Sequence, residues 1–260
     1  MTKVLLVGDT HSDATFVAGI MGAAKKNEVE VVIQLGDFGF SFDRNMIASI
    51  SAWLDRDESH QFYWIDGNHD QHDFIEEELL SGLPSWDKPV SMGGHKYSRA
   101  VFHERMFYVP RGAVFKLGDT TVMGLGGAFS IDKDYRAPHI SWWPQELIRQ
   151  SDMDRAVNNA KEYGRIDVMI THDAPPSDHL ETWLDAFDYK VDRASSDNRR
   201  ALGWVVEQVR PMFLYHGHYH RPYSASYRNT QVRGIGANVN ERGYIDHTVR
   251  PGYNYTIEEW

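Results

Sequence analysis

One feature constrains this chain above all others: a short apolar run that ends in glycine and then in a residue able to bind a cation. It occurs at Val4-Leu5-Leu6-Val7-Gly8-Asp9, at Val31-Val32-Ile33-Gln34-Leu35-Gly36-Asp37 and at Phe62-Tyr63-Trp64-Ile65-Asp66-Gly67-Asn68. Runs of this length without polar alternation suit strands buried on both faces, as parallel strands are. The 28 residues from Asp9 to Asp37 and the 31 from Asp37 to Asn68 match a strand, a crossover helix and the next strand. Residues 14–26 and 45–54 have apolar positions compatible with helical period, with Asp13 and Asp43 as capping residues just before them.

The second half continues the pattern with Val168-Met169-Ile170-Thr171-His172 and Phe213-Leu214-Tyr215-His216-Gly217-His218. Residues 91–129 are rich in Gly and aromatics in short runs and predict antiparallel strands and turns. Pro144 at a first helical position and Gly164 past its end predict a helix to about Tyr163. A second helix is expected over residues 199–210, stopped by Pro211, and residues 223–236 alternate like edge strands. No linker, repeat or low-complexity tract interrupts the chain. The expectation is an α/β fold in one domain, residues 1–260, built on two sheets.

Composition narrows the chemistry. Apolar residues make up 42% and charged residues 25%, an ordinary globular balance. With 27 Lys plus Arg against 37 Asp plus Glu, the net charge is −10, which disfavours a broad surface tracking extended duplex nucleic acid. The chain has no cysteine, so disulfides, thiolate nucleophiles and Cys-ligated metals are excluded. The N-terminal apolar stretch is too short for a signal-peptide core and no 18-residue apolar run follows. A cytoplasmic protein without a membrane segment is expected.

In open α/β sheets ligands collect outside the carboxyl ends of the strands, so the residues closing these runs should converge. They read Gly8-Asp9-Thr10-His11, Gly36-Asp37, Gly67-Asn68-His69-Asp70, Thr171-His172 and Gly217-His218-Tyr219-His220. Carboxylate, imidazole and amide carbonyl together suit Mn, Fe, Ni or Zn better than Mg or Ca alone.

In order and spacing, these segments resemble the signature of the calcineurin-like metallophosphoesterase superfamily: GDxH, GDxx, GNH[DE], a lone His and GHxH. The resemblance spans nearly the whole chain. It implies a four-layer α/β/β/α sandwich of two mixed sheets flanked by helices, and a dinuclear centre of two divalent ions, Mn foremost. By the same resemblance Asp9, His11 and His220 hold one ion, Asn68, His172 and His218 the other, and Asp37 bridges both. A hydroxide between the ions would attack phosphorus in line, and His69 would protonate the leaving oxygen. Asp70 is a candidate to orient or activate His69, or to cap a helix starting near Gln71.

The segment from Gly126 to Asp132, followed by Arg136, His139 and Trp142-Trp143, resembles a cleft-facing turn of small bacterial and phage members. Arg136 and His139, with Asn68, are therefore candidate substrate contacts; the tryptophan pair reads as core. The protein-phosphatase branch carries GDxVDRG, with Arg four residues after the Asp. Here the nearest Arg is Arg44, seven residues after Asp37, and Asp70 stands where that branch has Glu. The expected activity is hydrolysis of small phosphodiesters, with cyclic nucleotides, including 2′,3′-cyclic ones, as first candidates. A phosphomonoesterase or protein phosphatase is the alternative enzyme, and a non-catalytic protein-binding scaffold of the same fold the alternative of another class.

Overall fold

A computed structural model describes residues 1–39, 43–80, 102–186, 192–240 and 243–260. The apolar runs form the expected strands. In the first sheet, β1 (Lys3–Val7), β2 (Val31–Gln34), β3 (Gln61–Trp64) and β4 (Met106–Tyr108) lie side by side and parallel. The second sheet contains β5 (Val114–Leu117), β6 (Thr120–Leu125), β7 (Val168–Thr171), β8 (Phe213–His216), β9 (Tyr223–Tyr227) and β10 (Thr230–Gly234) in the order β5-β6-β7-β8-β10-β9. A strand the sequence did not announce, β11 (Tyr255–Glu259), returns to pair antiparallel with β1 at the edge of the first sheet.

Alternation along β1 shows how the layers form. Val4 and Leu6 point into a core shared with Val122, Ile170 and Tyr215 of the second sheet, while Leu5 and Val7 face a core with Phe16, Ile20, Ile50 and Trp53. Those four come from α1 (Ala14–Lys26) and α2 (Arg44–Leu54), capped by the side chains of Asp13 and Asp43 as their sequence predicts. The outer face of the second sheet packs on α3 (Gln150–Tyr163) and α4 (Arg193–Val209) through Met123, Met169, Ala156, Leu202 and Val206. Two sheets flanked by helices are thus the expected four-layer sandwich. Each fully buried Leu, Val or Ile contributes roughly 1.5–3 kcal/mol of transfer free energy to these cores. No helix among the described residues is long and apolar enough to cross a membrane.

Four details differ from expectation. Residues 91–129 were expected to be antiparallel, but only β5 and β6 are; β4 runs parallel to β3, and residues 91–101 lie outside the described part. The helix expected from Pro144 is broken. Pro144–Glu146 is a single 3-10 turn, Leu147 and Arg149 are extended, and α3 starts at Gln150. The break has a physical cause: the Arg111 guanidinium takes the carbonyls of Gln145, Glu146 and Leu147, and Asn198 Oδ1 takes the Ile148 N–H. A continuous helix would need those groups for itself. The helix α4 begins at Arg193, earlier than expected, because Asp192 caps it on Ala194 N–H. Finally, β10 is not an edge strand, being paired on one side with β8 and on the other with β9.

Parallel pairing in register sets the site. With Val7 opposite Gln34 and Gln34 opposite Trp64, the loops after β1, β2 and β3 leave the first sheet at one end. The loops after β7 and β8 leave the second sheet in the same way.

Candidate metal centre

The strand-end loops converge through backbone N–H groups that donate across to carbonyl and carboxylate oxygens. Thr10 and His11 N–H both donate to Asp37 O, His69 N–H donates to Asp37 Oδ1, and His218 N–H donates to Asp9 Oδ1. The glycines make room for this: a Cβ on Gly67 would collide with Asp37 Oδ1, and one on Gly217 with Asp9 Oδ1. His11, Asp37, His218 and His220 sit at positive φ, 45°, 53°, 67° and 54°. Backbone strain of this kind persists where the surroundings over-determine it, typically at functional sites.

Ligand atoms of Asp9, His11, Asp37 and His220 all lie within 4.8 Å of one another. Behind them, His172 Nε2 is 3.3 Å from Asp37 Oδ1 and 3.1 Å from Asn68 Oδ1, and the His218 ring lies 5.1 Å from that of His172. All seven residues expected at the strand ends are therefore brought to one place, with Asp37 reaching both halves.

The group fits a cation better than it fits itself. Asp9 Oδ2 is buried without a hydrogen-bond partner, although His220 Nε2 is only 3.1 Å away. Two buried carboxylates face each other across imidazoles whose other nitrogens are already used. His172 Nδ1 bonds Leu35 O at 2.7 Å and His11 Nδ1 bonds Asn238 Oδ1 at 2.8 Å, which turns both Nε2 atoms inward. Such outer contacts fix the tautomer of a metal-binding His. Without a cation, protons balance the charge. Burial disfavours a charged His172, but Asp37 and Asp9 outweigh it and hold its pKa at about 10; in the same way burial opposes and Asp37 raises His11 to about 9. Burial works against ionising Asp9, yet His172 and His220 keep its carboxyl at about 2. Burial dominates at His218 and lowers it to about 4.

His69 stands beside the cluster, its ring 5.7 Å from that of His11. Its Nε2 accepts from Arg136 Nη2 at 3.0 Å, and the same guanidinium reaches Asp132 Oδ2 at 2.7 Å and Ser141 O at 3.0 Å. Burial lowers the pKa of His69, and Arg136 adds to the effect. Arg136, one of the expected substrate contacts, is thus at the site.

Asp70 and His139 have other tasks. The two Asp70 oxygens accept from Gly39 N–H at 2.7 Å and Gly67 N–H at 2.6 Å, tying the loop after β2 to the loop after β3. Asp70 neither caps the helix at His72–Phe74, whose cap makes no side-chain bond, nor holds the His69 ring, which Arg136 meets instead. His139 Nδ1 lies 3.0 Å from Asp73 Oδ2, which also accepts from Trp143 Nε1; this anchors the 136–143 segment. Trp143 is buried as core, as expected. The histidines expected to be structural behave so where described: His72 bonds Gly67 O, His216 the Tyr223 hydroxyl and His247 Asp13.

Sequence reasoning missed the residues that support these ligands. Asn238 orients His11; Tyr219 donates to Asp173 Oδ1 at 2.6 Å and so ties the loop after β8 to the loop after β7. Asp66 accepts from Arg111 and Tyr108 just before Gly67. The one local signal was Asp66 itself, a charge at the end of an otherwise apolar run.

A two-sheet α/β sandwich with a cluster of nitrogen and oxygen donors at its strand ends is what these features define. The sequence pattern of the calcineurin-like phosphoesterases matches residues 2–222, and the chain belongs to that family, whose members depend on a dinuclear metal centre. Among solved structures, a protein of Thermus thermophilus is similar with a TM-score of 0.56 at 13% identity, over 91% of this chain and 89% of that one. A dimetal phosphatase from Danio rerio is similar with a TM-score of 0.51 at 10% identity, over 94% and 90%. At these identities the likeness is one of fold. No curated protein matches the sequence significantly.

Proposed function

We propose that this chain is a dinuclear metal-dependent phosphodiesterase of small substrates, with cyclic nucleotides, including 2′,3′-cyclic ones, as first candidates. Asp9, His11 and His220 would hold one divalent ion, Asn68, His172 and His218 the other, with Asp37 shared. Mn is the first choice, with Fe, Ni or Zn also compatible with nitrogen and oxygen donors. When bound, such a pair supplies Lewis-acid activation of the phosphoryl group and a nucleophile at neutral pH.

The observation that carries the phosphodiester reading is the pairing of His69 with Arg136 at the rim of the cluster. In the free chain Arg136 occupies the Nε2 lone pair, leaving the proton of a neutral His69 on Nδ1. A phosphoryl oxygen of the substrate competes for the guanidinium, so Arg136 would hold the phosphate and free Nε2 to take up a proton from water; the imidazolium so formed would pass that proton to the leaving alkoxide and return to the neutral ring. A poor leaving group, as in a nucleotide diester, gains most from that proton. Compact substrates suit a protein of net charge −10, which offers little for long duplexes, and a cytoplasmic setting is in keeping with a cysteine-free chain.

The test is a Mn-reconstituted panel of bis-nitrophenyl phosphate, nitrophenyl phosphate and 2′,3′- and 3′,5′-cyclic nucleotides. His69→Ala should cost on the order of 10²–10³-fold on cyclic nucleotides and less on nitrophenyl esters. Preference for the monoester, or equal loss on all esters, counts against the proposal.

A further inference from the structure

Asn68 can serve a cation only if its carbonyl oxygen, and not its amide nitrogen, faces the cluster. The two ends of a carboxamide are nearly the same shape, so something must choose between them. His172 Nε2 does not make the choice once a cation is bound, because Nδ1 is committed to Leu35 O and a ring that ligates through Nε2 has no proton there to give to Oδ1. The choice is made on the other side. Asn68 Nδ2 lies 3.1 Å from Ser130 Oγ, Ser130 Oγ lies 2.6 Å from Glu146 Oε2, and Ser130 N–H donates to Glu146 Oε1 at 2.9 Å. All three residues are buried. A carboxylate only accepts, so the single hydroxyl proton of Ser130 goes to Glu146. The oxygen is left with lone pairs only, and the group opposite it must be a donor.

We propose that Ser130 and Glu146 are positioning residues for Asn68, a two-step relay that fixes the polarity of its amide and so completes the second half of the metal centre. It rests on the dinuclear reading above. The relay is rigid at both ends because one guanidinium holds them. Arg111 Nε and Nη2 grip Asp66 Oδ2 at 2.9 and 2.6 Å, two residues before Asn68, while Nη2 also reaches Glu146 O at 3.1 Å. Ser130 arrives from the turn after β6, where Gly127 N–H bonds Asp66 O at 2.9 Å. Three distant segments are thereby locked in one arrangement around an amide that would otherwise be free to turn over. Without the Ser130 acceptor, the orientation that presents Nδ2 to the cluster becomes available, and an N–H cannot ligate a cation.

The test is Mn²⁺ titration of the full chain by calorimetry and by electron paramagnetic resonance, with thermal unfolding in EDTA as a control. The wild type is expected to take up two ions and show an exchange-coupled spectrum. Ser130→Ala should keep the first ion at wild-type affinity, bind the second about 10–100-fold more weakly and show the six-line spectrum of an isolated ion. Glu146→Gln, which leaves one acceptor for two Ser130 donors, should shift the second ion in the same direction. An unchanged second ion in both variants overturns the relay, as does equal weakening of both ions or a collapse of the metal-free Tm in Ser130→Ala. A wild type that binds fewer than two ions overturns the dinuclear reading and the relay with it, whereas two ions in the wild type with unaltered variants overturn the relay alone.

Discussion

A single residue, Gly67, separates Asp66 from Asn68, yet they belong to opposite kinds of buried polar cluster. Around Asp66 every charge has its partner: Oδ1 accepts from the Tyr108 hydroxyl, Oδ2 from two nitrogens of Arg111, and Arg111 also reaches Asp152 Oδ2 at 3.2 Å. Around Asn68 the carboxylates of Asp9 and Asp37 face imidazoles, one Asp9 oxygen is orphaned, and four of the seven cation-binding candidates sit at positive φ. A satisfied network specifies structure. An unsatisfied one, held open by neighbours that are themselves satisfied, is prepared for a ligand. Burial alone separates the two not at all; hydrogen-bond completeness does.

That comparison can be broken in several ways, the largest first. Asp37→Asn is expected to lower kcat of the Mn-loaded chain on the order of 10³-fold or more, since it removes the one carboxylate facing both halves. The metal-free Tm should fall as well, because Asp37 is the counter-charge of the protonated His172 and His11, and Mn²⁺ should raise the Tm of the variant less than that of the wild type. Equal stabilisation of both by Mn²⁺ would deny Asp37 a place at the ions. Arg111→Met should cost about 3–5 kcal/mol of stability with or without Mn²⁺, by leaving Asp66 and Asp152 buried without their cation. Urea unfolding in EDTA measures it, and a loss below about 1 kcal/mol would deny the clamp its role.

The pH dependence sharpens the contrast because the two clusters respond in opposite directions. Burial opposes the charge of Asp66, but Arg111 outweighs it and depresses its pKa. Its contribution to stability is therefore present above the unfolded carboxylate value and is lost as pH falls through the depressed one. His172 and His11 are raised, to about 10 and about 9, in the metal-free chain. Their contribution is complete below the unfolded value near 6.5 and is lost as pH rises through the folded values. In EDTA, stability should therefore fall by about 2 kcal/mol for each pH unit between roughly 7 and 9. With Mn²⁺ that slope should flatten, since ligation releases the same protons. Equal slopes with and without Mn²⁺ would mean that these imidazoles do not meet the ion.

Much of the candidate site could be read from the chain because five of its seven residues close a strand of their own. Asp9, Asp37, Asn68, His172 and His218 follow apolar runs directly, so local periodicity placed them at strand ends and parallel pairing brought the ends together. The supporting groups had no such signature. Glu146 sits in what reads as the first turn of a helix, and nothing nearby says that Arg111, 35 residues earlier in the chain, will unwind it. Asp70 follows His69 and invites a role as its partner, but it turns to Gly39 and Gly67, and Arg136 arrives from 67 residues away to meet the ring. Residues 255–259, with no glycine or ligand to mark them, close the edge of the sheet beside β1.

The amino-acid sequence alone determined which candidate cation-binding side chains the chain carries and at which ends of which strands they stand. Periodicity, glycine before a ligand and caps such as Asp13 act within a few bonds, so they are written locally. Tertiary structure decided which way those side chains face and what holds them: Arg136 on His69, Asn238 on His11, Ser130 and Glu146 on Asn68, and Arg111 on Asp66 and the Glu146 carbonyl. Hydrogen-bond direction depends on donors and acceptors delivered from segments far apart in the chain, and only folding brings them within reach.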